Sequence, residues 1–308
     1  MRRSNHHLLA QVEAKAEARK QQFEAANAKI SARAGRNIFF AVTTGVVLAL
    51  LVVAALAFKQ FLLLPLALVV AALALYELAT AFRKAGRRVP RVGVIIGGAV
   101  VVTLSAMQGP DGTITGMHIA TGLLVVWRLM ESLLPQFHVK WRSMIADLAA
   151  GVFTLVYIPF LLSLIVQLAL IPTNGAMWVF SLLLLVILND TGAYVCGLNF
   201  GKHKMSPRIS PNKTWEGFVG GATVVVAAAV FVCGPLLGMP WWGAALLGLA
   251  VVCTATGGDL IESMIKRNLG VKDMSSFIPG HGGILDRLDS ILPTSVPFYA
   301  AGLALGVL

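Results

Sequence analysis

The chain has 308 residues, of which 57% are hydrophobic and 13% are charged, and its formal net charge is +11. Soluble domains are nearer a quarter charged, so this composition excludes an ordinary soluble protein. The apolar stretches are long, which excludes a β-barrel of short alternating segments. We therefore expect an all-α integral membrane protein.

The positive charge does not require a nucleic-acid partner. Basic loops that face an anionic leaflet explain it more simply, and we expect the bilayer, not nucleic acid, as the partner. The three cysteines lie in or beside apolar stretches and include no CxxC pair. Neither a zinc site nor a disulfide framework is therefore indicated.

The chain divides into a basic polar tail at residues 1–36 and an apolar remainder at 37–308, which we expect to be one transmembrane catalytic domain. A membrane-spanning helix needs about 20 apolar residues. Nine stretches approach that length, at 37–58, 61–82, 92–108, 115–134, 145–170, 176–198, 215–237, 241–258 and 289–307. We therefore predict a bundle of about nine transmembrane helices.

The basic residues indicate how this bundle is oriented. All 25 lysines and arginines, except Lys59 and Arg128, lie in the tail or in every second connection between the predicted spans, at 83–91, 135–144, 199–214 and 259–288. Basic loops mark the cytoplasmic side. We therefore predict a cytoplasmic N-terminus and a protein that spans the cell membrane (plasma or inner) several times.

Charged residues inside the predicted spans allow two interpretations. Arg128 and Glu131 are three residues apart, so they form either a local pair that reaches towards the interface or a lining for an anionic headgroup. Glu77, near the inner end of the second span, has the same two interpretations.

The acidic residues cluster where predicted helices meet the cytoplasmic face. Asp190 ends the sixth span, Asp259 ends the eighth, and Asp286 and Asp289 open the ninth. One such carboxylate is explained by helix capping, but three helix ends on one face predict a cation site. Oxygen ligands suit Mg²⁺, which keeps water ligands and recruits substrate phosphates. We therefore predict these four residues as metal ligands.

Basic residues lie close to these carboxylates. Asp259, Glu262, Ser263 and Lys266 recur at helical spacing and would share one helix face. The stretch GKHKMSPRISPNKTWEG at 201–217 is either an ordinary cytoplasmic loop or a phosphate site, since its prolines stiffen it and hydroxyl groups flank its basic groups. We predict phosphate contacts in this stretch at Lys202, Lys204, Arg208, Ser210, Lys213 and Thr214.

The densest polar stretch is SMIKRNLGVKDMSSFIPGHGGILDRLD, residues 263–289. Its PGHGG turn offers backbone amides that suit a polyphosphate, although no Walker A motif is present. His281 has no second histidine or cysteine at ligand spacing, so we expect a phosphate contact or a turn there instead of zinc. The predicted nucleotide and phosphate contacts are Ser263, Lys266, Arg267, Lys272, Asp273, His281, Gly282, Gly283 and Arg287.

This stretch resembles the signature of the phosphatidate cytidylyltransferases, the CDP-diacylglycerol synthases. The matching pattern is Ser263-x-x-Lys266-Arg267-x4-Lys272-Asp273, followed by Pro279-x-His281-Gly282-Gly283-x2-Asp286-Arg287-x-Asp289. Asp190–Tyr194, Gly201–Lys204 and Ser210–Gly217 are similar to the second conserved region of the same family. The resemblance covers residues 180–295, which we take as the catalytic region, and departs from the family at Leu198–Asn199.

The resemblance implies transfer of the cytidylyl group of CTP to phosphatidic acid, which gives CDP-diacylglycerol and pyrophosphate for phospholipid synthesis. It implies Mg²⁺ held by Asp259 and Asp286, a monovalent cation such as K⁺ beside it, and a homodimer with a cytosol-facing polar cavity open to lipid. We assign the catalytic roles to these two residues together with Lys266 and Arg287, because the transferred phosphoryl group must be positioned and its charge neutralised.

Two other functions remain open from the residues. A CTP-dependent polyprenol or phytol kinase would have similar needs but would also require a base for the acceptor hydroxyl. An ion-coupled transporter would use buried aspartates to bind its cation. Transporters usually have two matched halves, whereas the charges here crowd into the C-terminal third.

Overall fold

The computed structural model describes residues 38–134, 140–271, 274–275 and 282–308, so the predicted tail lies outside it. The chain divides into two compact units, Met1–Val52 with Ser276–Gly282 and Val53–Ser275 with Gly283–Leu308. The described residues of the first unit are 38–52, which form the first part of the helix Ile38–Ala57, and Gly282. All contacts reported below lie within the second unit.

The described chain is almost entirely helical. Its α-helices are α1 (Ile38–Ala57), α2 (Leu64–Lys84), α3 (Arg91–Ser132), α4 (Trp141–Leu155), α5 (Leu161–Leu170), α6 (Gly175–Phe200), α7 (Trp215–Ala228), α8 (Gly234–Leu237), α9 (Trp241–Asn268), α10 (Leu285–Leu288) and α11 (Ile291–Ala304). Single π-helical turns precede α2 and join α4 to α5 and α7 to α8, at Lys59–Leu63, Val156–Phe160 and Ala229–Cys233.

Six helical segments in the described chain are long and apolar enough to cross a membrane. They are Phe61–Lys84, Arg91–Ser132, Trp141–Leu170, Gly175–Phe200, Trp215–Leu237 and Trp241–Asn268. This is the pattern of a multi-pass helical membrane protein, as the composition predicts. Judged by length and composition alone, the described chain has these six crossing segments, not the predicted count of about nine.

Helix α3 turns back on itself. It has 42 residues, about twice the length of one crossing, and Gly109 interrupts it with φ 62° and ψ −136°. A Cβ at Gly97 would lie 3.0 Å from Cβ of Ala120, and one at Gly116 would lie 2.8 Å from Cα of Val101. These pairs run in opposite directions, so the two legs form an antiparallel helical hairpin. The predicted third and fourth stretches correspond to these legs.

The buried apolar residues form two clusters in the described chain. The first joins α2, α3, α4 and α5, with Leu75 and Leu124 among its buried members. The second joins α6, α7 and α9, and contains Trp178 edge-on to Phe298 with ring centroids 6.3 Å apart. Helix α11 supplies Leu292 to the first cluster and Phe298 to the second. It therefore connects the two packed groups of helices.

The predicted local pair of Arg128 and Glu131 is present, with Nη1 of Arg128 3.6 Å from Oε2 of Glu131, but a shorter, buried contact joins Arg128 to a second helix. Arg128 is 1% exposed, and its Nη2 lies 2.9 Å from Oδ2 of Asp147 on α4. The amide of Arg88 donates to the other oxygen of the same carboxylate at 3.0 Å. Arg128 therefore neither reaches towards the interface nor lines a site for an anionic headgroup, because it is buried and a carboxylate on the neighbouring helix reaches its guanidinium inside the protein.

One connection contains a small sheet that the all-α prediction lacks. Strands β1 (Lys204–Ser206) and β2 (Ser210–Thr214) form an antiparallel hairpin between α6 and α7. Glu216, in the first turn of α7, accepts hydrogen bonds from the amides of Lys202 and His203 at 3.1 and 3.2 Å. The carboxylate thus holds the start of the hairpin against the helix that follows it.

Candidate active site

A cavity of about 390 Å³ opens where the hairpin meets α6, α7, α9 and the segment from α10 to α11. Its polar lining comprises Asn189, Asp190, Ser210, Asn212, Lys213, Thr214, Thr256, Asp259, Asp286, Arg287, Asp289 and Ser290. Its other lining residues are Ala193, Tyr194, Met205, Gly217 and Phe218. The structure thus brings together the four carboxylates that the sequence analysis grouped as metal ligands.

Asp259 links the hairpin to α9. Its Oδ2 lies 2.8 Å from Nζ of Lys213, and its Oδ1 accepts from Oγ of Ser263 at 3.2 Å. The side chains of Lys213 and Asp259 are 24% and 34% exposed, so this ion pair is accessible from the cavity. Lys213 also donates to the carbonyl oxygen of Thr256 at 3.4 Å.

Asp286 is more enclosed, with its side chain 7% exposed. It accepts from Nζ of Lys266 at 3.0 Å, from the amide of Gly283 at 2.8 Å and from the amide of Met274 at 3.2 Å. Burial acts to raise the pKa of Asp286, but the neighbouring Glu262 side chain, the hydrogen bond from the Gly283 amide and the Lys266 ammonium outweigh it and hold the pKa below its ordinary value. The carboxylate is therefore ionised at neutral pH.

The predicted polar face of α9 is present. Ser263 contacts Asp259 four residues earlier, and Lys266 lies 3.2 Å from the fully buried Glu262 four residues before it. Lys266 also reaches Asp286, so one ammonium group joins α9 to α10. Neither Ser263 nor Lys266 lines the cavity, and both act on carboxylates that do.

Two of the predicted helix ends are wrong. Asp190 lies inside α6, which continues to Phe200, and Asp259 lies inside α9, which continues to Asn268. The prediction took the end of the apolar stretch as the end of the helix. A helix continues beyond its apolar part when its polar residues find partners, as those of α9 do.

Gly258 allows these carboxylates to come together. A Cβ at this position would overlap the carbonyl oxygen of Asp289 and the ring of Pro293. A glycine therefore lets α9 lie directly against the segment that leads into α11. This close approach brings Asp259 to the same cavity as Asp289.

The predicted phosphate-binding residues divide into two groups. Ser210, Lys213, Thr214 and Arg287 line the cavity. Lys202, Lys204 and Arg208 are exposed residues of the hairpin region that do not line it, and Arg267, also exposed, donates from Nε to the carbonyl oxygen of Ile209 at 3.4 Å. Lys272, Asp273 and His281 lie outside the described residues.

Two of these polar groups already have structural partners. The hydroxyl of Thr214 is buried and caps α7 by accepting from the amide of Gly217 at 3.2 Å. The amide of Gly283 was predicted to be free for a phosphate. It instead donates a hydrogen bond to the carboxylate of Asp286, three residues later. Gly282 has a φ of 84°, which fits the predicted tight turn.

Sequence reasoning did not find the role that several residues of this region have in the structure. Asn189, Asn212 and Ser290 line the cavity, and Glu77 holds the backbone of the segment that carries Asp286. The signal for Glu77 was an acidic residue within an apolar stretch. The asparagines and the serine gave no comparable signal, since such residues are common wherever a helix meets a polar loop.

The described side chains can be compared with what a bound cation requires. No group of three or more histidine, cysteine, aspartate or glutamate side chains among them is arranged as a complete metal site. Mg²⁺ does not need one, because it is commonly held by one or two carboxylates together with water and substrate phosphates. The accessible Asp259 and Asp190, both in the cavity lining, fit that requirement better than the enclosed Asp286.

Comparison with known proteins gives a consistent answer. The model of the cytidylyltransferase family matches residues 40–305. A phosphatidate cytidylyltransferase of Mycobacterium bovis is 36% identical over 271 residues, which cover 86% of this chain and 88% of the relative. One of Mycobacterium leprae is 36% identical over 87% of this chain and 88% of the relative, and one of Haemophilus influenzae is 45% identical over 42% and 46%. The chain therefore belongs to the cytidylyltransferase family and is a nucleotidyltransferase.

Proposed function

We propose that this enzyme transfers the cytidylyl group of CTP to phosphatidic acid, forming CDP-diacylglycerol and pyrophosphate for phospholipid synthesis. The observation that carries the proposal is the cavity, in which carboxylates of α6, α9 and the segment from α10 to α11 meet the basic groups of Lys213 and Arg287. The relatives that align with most of the chain are phosphatidate cytidylyltransferases, which supports the same substrates.

The reaction requires little from the protein beyond positioning and charge. An oxygen of the lipid phosphate attacks the α-phosphorus of CTP, the bond from that phosphorus to the bridging oxygen breaks, and pyrophosphate leaves with the electron pair. The attacking phosphate is already ionised, so no general base is needed. Lys213 and Arg287, which line the cavity, would bind phosphate oxygens and neutralise the charge that develops.

We propose Mg²⁺ as the cofactor, with Asp259 as its principal ligand and Asp190, Asp286 and Asp289 as the other candidate carboxylates. Bound there, the cation would neutralise phosphate charge and orient the triphosphate. Lys213 would then exchange Asp259 for a phosphate oxygen, which its partial exposure allows. A K⁺ ion beside the Mg²⁺ is proposed from the family resemblance alone.

We propose nine membrane crossings, a cytoplasmic N-terminus and a cavity that faces the cytoplasm. The two legs of α3 count as two crossings, and α1 and α11 complete the set. The basic residues at 83–91, 140–142 and 202–213 then lie on one side, which supports this orientation. Location in the plasma or inner membrane and assembly as a homodimer are proposed from the resemblance.

The experiment uses purified protein, phosphatidic acid, Mg²⁺ and CTP labelled at either the α- or the γ-phosphate. The proposed function predicts that α-label enters lipid and that γ-label leaves as pyrophosphate. Transfer of γ-label to a polyprenol or phytol acceptor would instead identify a kinase. Absence of transfer, together with ion-driven uptake in vesicles, would identify a transporter.

A further inference from the structure

Glu77 is a buried acidic residue that the reaction does not use directly. It lies in α2, is 3% exposed and does not line the cavity. Among the described residues, no lysine, arginine or histidine forms a salt bridge with it. Burial of a carboxylate is unfavourable unless its hydrogen bonds compensate.

Within the described part of the chain, those hydrogen bonds come from the segment that carries the site. Oε1 accepts from Oγ of Ser275 at 2.6 Å and from the amide of Ile284 at 3.0 Å, and Oε2 accepts from the amide of Leu285 at 2.9 Å. Hydrogen bonds to an ionised carboxylate are stronger than those between neutral groups. Glu77 therefore attaches α2 to two stretches of backbone about 200 residues further along the chain.

Asp286 accepts hydrogen bonds from the same two stretches of chain, and it belongs to one of them. It accepts from the amide of Met274, next to Ser275, and from the amide of Gly283, next to Ile284. The two carboxylates together fix residues 274–275 beside residues 283–286. Asp286 belongs to this fixed backbone, and both Asp286 and Arg287 line the cavity.

We propose that Glu77 is a positioning residue of the active site. Its hydrogen bonds fix the backbone at residues 284–285, directly before Asp286 and Arg287, so that both side chains face the cavity. The inference rests on the proposed function, because it requires the cavity to be where the phosphates react. A displacement of about 1 Å in such a group can lower the rate about 100-fold, even when the mutated residue is remote from the reacting atoms.

Glu77→Gln is the informative substitution. Glutamine keeps the size of the side chain but replaces one acceptor oxygen with an NH₂ group. That group must face a donor, either the amide of Leu285 or the amide of Ile284 and the hydroxyl of Ser275. At least one hydrogen bond to the site segment is therefore lost, with little change in packing.

The chain offers a matched control in Asp147→Asn. Asp147 is also buried, at 2% exposed, and also accepts hydrogen bonds from other elements, the amide of Arg88 and the guanidinium of Arg128. It lies outside the cavity lining. A merely structural role for Glu77 would make the two variants behave alike.

The test measures kcat and KM per folded protein, thermal stability, and hydrogen–deuterium exchange over residues 282–290. For Glu77→Gln we expect a decrease in kcat of about tenfold or more, a change in KM for CTP below about threefold and faster exchange at residues 283–286. For Asp147→Asn we expect lower thermal stability with wild-type kcat and wild-type exchange in that segment.

Equal losses of stability in both variants with unchanged kcat would overturn the proposal. Unchanged exchange over residues 283–286 in Glu77→Gln would also overturn it. A wild-type protein that transfers no cytidylyl label to lipid would refute the proposed function instead. In that case the exchange measurement still decides whether Glu77 fixes the segment.

Discussion

Two ion pairs of this chain join neighbouring elements at nearly the same distance but in different surroundings. Arg128 and Asp147 lie 2.9 Å apart between α3 and α4, and the side chain of each is 1% exposed. Lys213 and Asp259 are 2.8 Å apart and are 24% and 34% exposed, in the lining of the cavity. The distance between the charges does not distinguish the pairs, whereas their accessibility does.

The difference determines what each pair can do. Separating the buried pair would leave a charge without a partner in a medium of low dielectric constant, so this contact is permanent while the protein is folded. The partly exposed pair can separate, because each member can find a phosphate, a cation or water. We therefore assign structural stability to the first pair and substrate handling to the second.

The largest expected effect comes from removing the acidic member of the accessible pair. Asp259→Asn should lower kcat/KM about 100-fold or more, since the neutral amide can neither hold a cation nor balance Lys213. The measurement is transfer of α-label from CTP to lipid by protein shown to be monodisperse in detergent. Activity within a few-fold of wild type would remove Asp259 from the proposed metal centre.

Replacing the basic member should have a smaller effect. Lys213→Ala should weaken CTP binding about tenfold, because one of several phosphate contacts is lost, and Lys213→Arg should retain most of the affinity. Titration of CTP into the purified variants measures this change. Equal affinity in the alanine variant and the wild type would show that the lysine serves only to balance Asp259.

Gly258→Ala tests whether close packing beside the accessible pair matters. The added methyl group would overlap the carbonyl oxygen of Asp289, so α9 must shift. We expect a loss of about 1–3 kcal/mol in stability and a partial loss of activity, in which kcat falls more than KM rises. Thermal unfolding and steady-state kinetics of the same preparation give both quantities. Gly257→Ala is the matched control, since a Cβ there meets nothing within 4 Å.

The smallest effect on activity is expected at the buried pair. Arg128→Met should destabilise the protein by about 3–5 kcal/mol, because Asp147 is left buried without its cation. The folded fraction should keep wild-type kcat. The double variant Arg128→Met with Asp147→Leu should regain most of the lost stability. Specific loss of kcat in the double variant would mean that this pair also serves the reaction.

The sequence alone predicts the class of fold and several of the charged residues that line the cavity. Apolar stretches of spanning length predict the helices, because the thickness of the bilayer limits how long such a stretch can be. Asp190, Asp259 and Asp286 are recognisable because a carboxylate next to hydrocarbon is costly and rare. These features depend on local sequence and on the solvent.

The contacts between distant residues are not predictable in this way. Arg128 has Glu131 nearby in sequence, yet its principal partner is Asp147 on another helix. Glu77 finds its hydrogen-bond donors about 200 residues away. The end of α9 could not be predicted for a related reason. Contacts between polar side chains, not hydrophobicity, extend the helix to Asn268. Each of these outcomes depends on which elements become neighbours after folding.

The most direct test is a structure of the enzyme with CTP and Mn²⁺ in place of Mg²⁺, with the metal located by anomalous scattering. The account predicts the ion against Asp259, with the triphosphate in the cavity within reach of Lys213 and Arg287. A nucleotide bound outside this cavity, or an ion away from all four aspartates, would contradict it.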